Sequence, residues 1–139
     1  MNLPNLERLK AALRANADSI NMGVWADSSA KTACGTIGCA AGECDHLMAV
    51  DGRKGTVFTK EGWIRKEYQG VGMAGDRLIV CRENGIAFLG VDEEPADKMF
   101  LVSRWPDLFA QRLYQQTTGT PAYVEVICDR LDYFADTGE

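Results

Sequence analysis

The chain has 139 residues, of which 46% are hydrophobic, and its formal net charge is −5 at pH 7. This length predicts one domain, large enough to bury a hydrophobic core without disulfides or a structural metal. The negative charge argues against direct binding to nucleic acid, and no apolar run has the length of a membrane span. The five cysteines are an odd count, typical of reduced thiols in a cytoplasm. We therefore expect a cytoplasmic single domain, residues 1–139, without a cofactor.

The N-terminal part predicts one helix followed by a linker and a loop. The helix ends near Ala17 and has an apolar face formed by Leu6, Leu9 and Leu13. The segment 20–25 is short, apolar and interrupted by glycine, so we interpret it as a linker whose Met22 and Trp25 insert into the core. Residues 26–33 are mostly small and predict a loop.

A central helix is predicted over residues 37–50, and the rest of the fold is organised around it. Thr36 is suited to cap this helix, because its hydroxyl can accept a hydrogen bond from the main-chain N–H of Cys39. Gly38 and Gly42 lie on a face where another element can approach closely. Apolar residues recur at helical period along the adjoining face, at Ile37, Ala40, Ala41, Cys44, Leu47 and Met48.

A β-prone region follows the central helix. Two short runs after a glycine-containing turn are compatible with a small β-hairpin near residues 56–64. The glycines at 70, 72 and 75 match a dinucleotide-binding motif by letter, but no convincing strand precedes them. We therefore interpret residues 68–76 as a loop and predict no nucleotide cofactor there.

The C-terminal half contains further helix signals. The apolar run within residues 77–88 is compatible with a helix that Gly90 closes in a left-handed conformation. Asp92 is expected to cap a short helix that has two glutamates and a proline in its first turn, and Pro106 with Asp107 begins another.

The last helix has the clearest signals in the chain. Thr120 is suited to cap it, and Pro121 occupies its first position. Its apolar stripe consists of Val124, Ile127, Cys128, Leu131 and Phe134. Together the patterns predict a mainly α-helical, compact domain of five or six helices around the central helix 37–50.

Four features, in a fixed order, suggest a family. They are the Met22/Trp25 pair, Cys34-Gly35-Thr36-x-x-Cys39-x-Ala41-Gly42, the segment from Leu89-Gly90-Val91 to Met99-Phe100, and Thr120-Pro121-x-x-Val124. This pattern resembles a group of small uncharacterised phage and prophage proteins that share a C-G-T-x-x-C-x-A-G motif. The resemblance implies a viral origin and a small helical fold, and it assigns no catalytic residue.

Cys34, Cys39, Cys44 and His46 are the residues that a metal site would use. In a helix that begins at Ile37, Cys39 and Cys44 lie about 140° apart around the axis, and Cys44 and His46 about 160° apart. Structural zinc uses ligands that converge on one ion. We therefore predict no metal site.

Cys39 is the candidate nucleophile of an alternative, enzymatic reading. At the third position of the predicted helix, free N–H groups and the helix dipole would lower the pKa of its thiol. His46, the only histidine, would lie about 10 Å further along the helix axis, too far to act as its base. A buried structural cysteine is the other interpretation.

The same stretch has features of an anion site. Gly35, Thr36, Ile37 and Gly38 would form a turn and a helix N-terminus, whose N–H groups can bind a phosphate or carboxylate. The stretch lacks the lysine of nucleotide-hydrolysing loops, so it favours binding over hydrolysis. A turn that only satisfies its own main chain is the structural alternative.

Negative charge is concentrated in the second half of the chain. Residues 1–70 carry nine basic and eight acidic groups, whereas residues 71–139 carry six and twelve. Acidic residues at 92–97 (Asp92, Glu93, Glu94 and Asp97) and within 129–139 predict a surface that imitates nucleic acid towards a basic target.

With the resemblance, this charge pattern favours a phage- or prophage-encoded binding protein. It would inhibit or sequester a host defence protein, an enzyme or a nucleotide signal without catalysis, so its partner would be a host protein or a small anionic ligand. The alternatives are a small enzyme that uses Cys39 and an accessory protein with a structural role.

Overall fold

The computed structural model describes residues 1–22, 26–27, 37–38, 40–50, 56–59, 62–65 and 85–139. Its helices are α1 (Leu3–Ala15), α2 (Ala40–Val50), α3 (residues 85–89), α4 (Glu93–Phe100), α5 (Asp107–Tyr114) and α6 (Pro121–Thr137). The strands form two antiparallel pairs, β1 (Ala26–Asp27) with β2 (Ile37–Gly38) and β3 (Thr56–Thr59) with β4 (Gly62–Arg65). The predicted mainly helical fold is confirmed in these residues, and β3 and β4 form the predicted hairpin.

The start of α1 is fixed by caps and by contacts with α3. Asn2 caps α1 by accepting a hydrogen bond from the main-chain N–H of Asn5 at 3.1 Å. The side-chain amide of Asn5 donates to the carbonyl oxygen of Phe88 at 2.7 Å, and the main-chain N–H of Asn2 donates to that of Leu89 at 2.6 Å. These carbonyls lie at the end of α3, where a helix has no partners of its own. Gly90 follows with φ +62°, which confirms the predicted left-handed cap.

The central helix begins later than the sequence pattern predicted. Ile37 and Gly38 lie in β2, where they pair with Asp27 and Ala26, and the helix starts at Ala40. The same pairing places Ala26–Asp27 in a strand rather than in the predicted loop. β-branched isoleucine suits an extended strand, and glycine loses more conformational entropy in a helix than other residues do. Thr36, predicted as the helix cap, lies outside the described residues.

The predicted apolar face of the central helix is confirmed from Ala40 onward. The side chains that face the core are Ala40, Ala41, Cys44 and Met48, with Leu47 packed at the edge. This face places α2 against α1. Gly42 is also buried.

α6 is the helix against which α1, α4 and α5 pack. It begins with Thr120, whose hydroxyl accepts a hydrogen bond from the main-chain N–H of Tyr123 at 3.3 Å, and with Pro121 in its first turn. It ends at Gly138, which has a φ of +74°. Both predicted ends are confirmed. Its buried side chains are Tyr123, Val124, Val126, Ile127, Cys128, Arg130, Leu131 and Phe134.

The C-terminal end of α4 is capped by side chains from outside that helix. Nη2 of Arg130 donates to the carbonyl oxygen of Lys98 at 2.8 Å, and Nε1 of Trp105 donates to that of Met99 at 3.0 Å. The last carbonyls of a helix have no partner inside it, so these two bonds satisfy groups that burial would otherwise leave unpaired. At the other end, Asp92 occupies the N-cap position without making the side-chain cap hydrogen bond that we expected. No helix in the described ranges is long and apolar enough to span a bilayer.

Candidate functional site

The structure describes only part of the predicted cysteine-rich site. Cys34, Gly35, Thr36 and Cys39 lie outside the described residues, and Ile37 and Gly38 lie in β2 rather than in a first helical turn. The assumption that placed Cys39 at the third helical position is therefore wrong, because α2 begins at Ala40. The anion site at residues 35–38 and the nucleophilic role of Cys39 stay predictions.

The cysteines that the structure describes in full are buried. Cys44 in α2 and Cys128 in α6 are thiols with no exposed surface. Burial raises the pKa of the Cys128 thiol to about 11, so at neutral pH it is protonated and a poor nucleophile. Within the described ranges, no three His, Cys, Asp or Glu side chains are grouped closely enough to hold a metal ion.

The predicted acidic residues of α4 border an open groove. The groove has a volume of about 360 Å³, and we call it the acidic groove; its lining consists of Glu93, Glu94, Asp97, Lys98 and Arg104. Asp92, Glu93 and Glu94 are exposed and Asp97 is half-buried. The glutamates lie in the first turn of α4, where the positive end of the helix dipole stabilises negative charge.

Lys98 links this groove to the end of α6. Its Nζ lies 3.7 Å from Oε1 of Glu94 and 3.6 Å from Oε2 of Glu139. Arg130 reinforces the connection, since the Nη2 that donates to the Lys98 carbonyl also donates to the main-chain oxygen of Glu139 at 2.7 Å. The two acidic stretches, far apart in sequence, therefore meet at Lys98.

These two stretches account for the whole net negative charge of the protein. Residues 92–98 and 129–139 carry eight carboxylates and two basic side chains, whereas the rest of the chain carries twelve acidic and thirteen basic groups. The net charge of the two stretches is thus −6, against −5 for the whole protein.

Part of the predicted acidic surface of α6 holds helices together instead. Asp129 accepts a hydrogen bond from Arg112 of α5 at 2.6 Å. Asp132 accepts one from Nζ of Lys10 in α1 at 2.5 Å, and Lys10 also lies 2.7 Å from Oε1 of Glu7. Burial lowers the pKa of Lys10, but hydrogen bonds to the two carboxylates outweigh this effect and raise it overall. The lysine therefore stays charged despite its burial.

A second link from α6 to α1 lies closer to the solvent. Arg14 donates two hydrogen bonds to the Glu125 carboxylate, at 2.8 and 3.1 Å. This pairing lowers the pKa of Glu125 and raises that of Arg14. The four carboxylates Glu125, Asp129, Asp132 and Asp136 form one stripe on α6, and three of them pair with α1 or α5.

Arg130 is a residue whose position the sequence did not reveal. Its side chain is fully buried and lies over the rings of Phe109, Tyr133 and Phe134 at 5.6–5.9 Å. Its Nε and Nη1 have no hydrogen-bond partner among the described residues. Burial lowers the pKa of this guanidinium, but an arginine stays charged at any ordinary pH. The aromatic rings provide favourable contacts for this desolvated cation.

Comparison of the chain with protein-family models, with curated proteins and with solved structures finds no match.

Proposed function

We propose that the protein is a phage- or prophage-encoded binding protein that inhibits or sequesters a host component without catalysis. The acidic groove of α4, extended by Glu139, would contact a basic surface of a protein partner in the bacterial cytoplasm. The viral origin rests on the sequence resemblance, and the mode of action rests on the charge distribution.

The observation that carries this proposal is the meeting of the two acidic stretches at Lys98. Because the Lys98 ammonium lies near both Glu94 and Glu139, α4 and the end of α6 present their carboxylates on adjoining surfaces. Among the described residues that line the groove, Glu93, Glu94 and Asp97 outnumber the two basic side chains even before Glu139 is counted. A surface of this sign attracts a positively charged partner.

The long-range field favours association more than it favours tight binding. Complementary charges speed the encounter of two proteins and reject partners of the same sign, whereas exposed ion pairs contribute only about 0–1 kcal/mol each. Added salt shortens the range of this attraction from about 10 Å at 0.1 M to about 3 Å at 1 M. Binding through the acidic groove should therefore weaken steeply as salt is added.

The experiment is co-purification from a bacterial lysate followed by binding measurements on the purified partner. We expect a basic host protein to bind the wild-type chain and to be released by salt. The variant Glu93→Gln/Glu94→Gln removes two carboxylates, so its association rate with this partner should fall at least about fivefold at low salt.

The matched control is Glu93→Asp/Glu94→Asp, which keeps both charges in the first turn of α4. This control should bind nearly as well as the wild-type protein. If the glutamine and aspartate variants bind alike, or if the partner is acidic, the acidic groove is not the binding surface and the proposal is wrong.

A further inference from the structure

A second concave site adjoins the 3-10 helix Val102–Arg104, which also contributes Arg104 to the acidic groove, but none of the acidic residues of that groove lines the second site. It is a cavity of about 270 Å³. It lies between Asn21 and Met22, in the segment that follows α1, the 3-10 helix Val102–Arg104, and the connection from α5 to α6. Its apolar walls are formed by Met22, Val102 and Leu113. Leu113 is almost completely buried, so the cavity reaches down to the hydrophobic core.

The polar side chains around this cavity are all uncharged. They are the carboxamides of Asn21 and Gln116 and the hydroxyls of Tyr114, Thr118 and Tyr123. The Tyr123 hydroxyl is held in place, since it accepts a hydrogen bond from the main-chain N–H of Met22 at 3.0 Å. We call the site the neutral cavity, because none of the described residues that line it is acidic or basic.

This lining selects against charged ligands. An ion that enters a partly apolar site loses hydration, and only a nearby opposite charge can replace it. The described residues that line the neutral cavity offer no such charge.

The same lining favours a ligand with both hydrogen-bond donors and acceptors. A carboxamide side chain has an acceptor oxygen and a donor NH₂ group, and a hydroxyl can act in either role. The ring of Tyr114, which is 77% exposed, provides aromatic surface against which a flat ligand can pack. The volume lies just below the ~300–1,000 Å³ range of pockets for drug-sized ligands, so the ligand is smaller than these.

We propose that the neutral cavity binds a small, uncharged, planar molecule that carries an amide-type edge, such as an aromatic carboxamide or a pyrimidine base. The carboxamide of Gln116 would pair with that edge, while Met22, Val102 and Leu113 contact its ring. This binding is separate from the contact of the acidic groove with a protein partner, so either proposal can fail without the other.

The test compares neutral probes with charged molecules of the same shape by amide chemical-shift titration of the full chain. The pairs are benzamide with benzoate and orotamide with orotate. We expect at least one neutral probe to shift the main-chain amide signals of Gln116 and Thr118 with a millimolar or lower Kd. Its charged counterpart should bind at least about tenfold more weakly, because nothing in the cavity replaces its hydration.

Gln116→Leu and Gln115→Leu form a matched pair of variants. They make the same substitution at neighbouring positions, but Gln116 lines the cavity and Gln115, the C-cap of α5, does not. Gln116→Leu should raise the Kd of the neutral probe at least about fivefold, because hydrogen bonds are lost, and Gln115→Leu should leave this Kd unchanged.

Three results would overturn the inference. The first is that neither neutral probe shows saturable binding. The second is that the charged and neutral members of each pair bind equally well, and the third is that the two leucine variants change binding of the neutral probe to the same extent. Each can be read from the same spectra, which also show whether a variant is folded.

Discussion

Replacing Trp105 with phenylalanine tests how the end of α4 is held in the core. The Trp105 side chain is only 5% exposed, and its Nε1 donates to the carbonyl oxygen of Met99 at 3.0 Å. Phenylalanine keeps one aromatic ring but lacks the N–H donor. The Met99 carbonyl would then lose its side-chain partner. This carbonyl lies at the end of α4, and the Met99 side chain is fully buried.

Two contributions set the size of the effect. Loss of the partner of a buried carbonyl costs about 1–3 kcal/mol. The space left where the outer, six-membered ring of the indole was adds on the order of 1 kcal/mol, since buried cavities collapse only partly. We therefore expect Trp105→Phe to lower the free energy of unfolding by about 2–4 kcal/mol, a large part of the ~5–15 kcal/mol typical of a domain.

The measurement is urea denaturation followed by far-ultraviolet circular dichroism. An isosteric control separates the two contributions: 3-benzothienylalanine, introduced at position 105, keeps the shape of tryptophan but has sulfur in place of the N–H. It should lower the free energy of unfolding by about 1–3 kcal/mol, the share of the hydrogen bond. Stability equal to that of the wild-type protein would show that the Met99 carbonyl does not depend on the indole, and the capping argument would be wrong.

Three further predictions concern a helix cap, the thiols and an ion pair. Thr120→Ala should lower the free energy of unfolding by about 1 kcal/mol, because the N–H of Tyr123 loses its cap; denaturation against Thr120→Ser, which keeps a hydroxyl, checks this. Alkylation at pH 7, read by mass spectrometry, should modify the buried Cys128 slowly, since its pKa is raised to about 11; Cys39 reacting within seconds, ahead of the other cysteines, would instead support the enzymatic alternative. The pKa of Glu125 is lowered by its paired arginine. The pair therefore adds to the free energy of unfolding above the unfolded-state pKa of about 4.3, and this stabilisation is lost as the pH falls through the lower folded-state pKa. Because the pair is about half exposed, Glu125→Gln should lower the free energy of unfolding by no more than about 1 kcal/mol at pH 7 and leave it unchanged at low pH. Denaturation that shows the same loss at all pH values would contradict a stabilisation by this ion pair.

The terminal helix was predictable because its signals are local. The Thr120 cap, Pro121 in the first turn and Gly138 after the last turn each act within a few residues of the helix end. The same holds for Gly90 at the end of α3. Such interactions depend on neighbours in sequence and very little on what packs against the helix.

The start of α2 was misplaced because a non-local interaction decided it. Ile37 fits the helical stripe by spacing and Gly38 fits the adjoining face, but in the structure they pair with Asp27 and Ala26 of β1. Strand pairing satisfies main-chain groups through a partner that the periodicity of one segment cannot reveal. The proposals that relied on a helix beginning at Ile37 lose that support.

The burial of Arg130 was also beyond the sequence pattern. A single stripe along α6 predicts one buried face, yet α1, α4 and α5 all pack on this helix. Arg130 therefore lies inside, with its hydrogen bonds directed to Lys98 and Glu139. How many neighbours cover a helix is a property of the assembled fold.

The sequence by itself determined that the protein is mainly helical, where most of its helices lie, and that its negative charge is concentrated near α4 and α6. Only the tertiary structure decided what those carboxylates do. Glu125 and Asp132 pair with Arg14 and Lys10, which are 111 and 122 positions away in sequence, while Glu93 and Glu94 border an open groove. The reason is that charge is a property of each residue, whereas pairing requires a partner within about 4 Å, and the packing of distant helices alone sets which partners come that close.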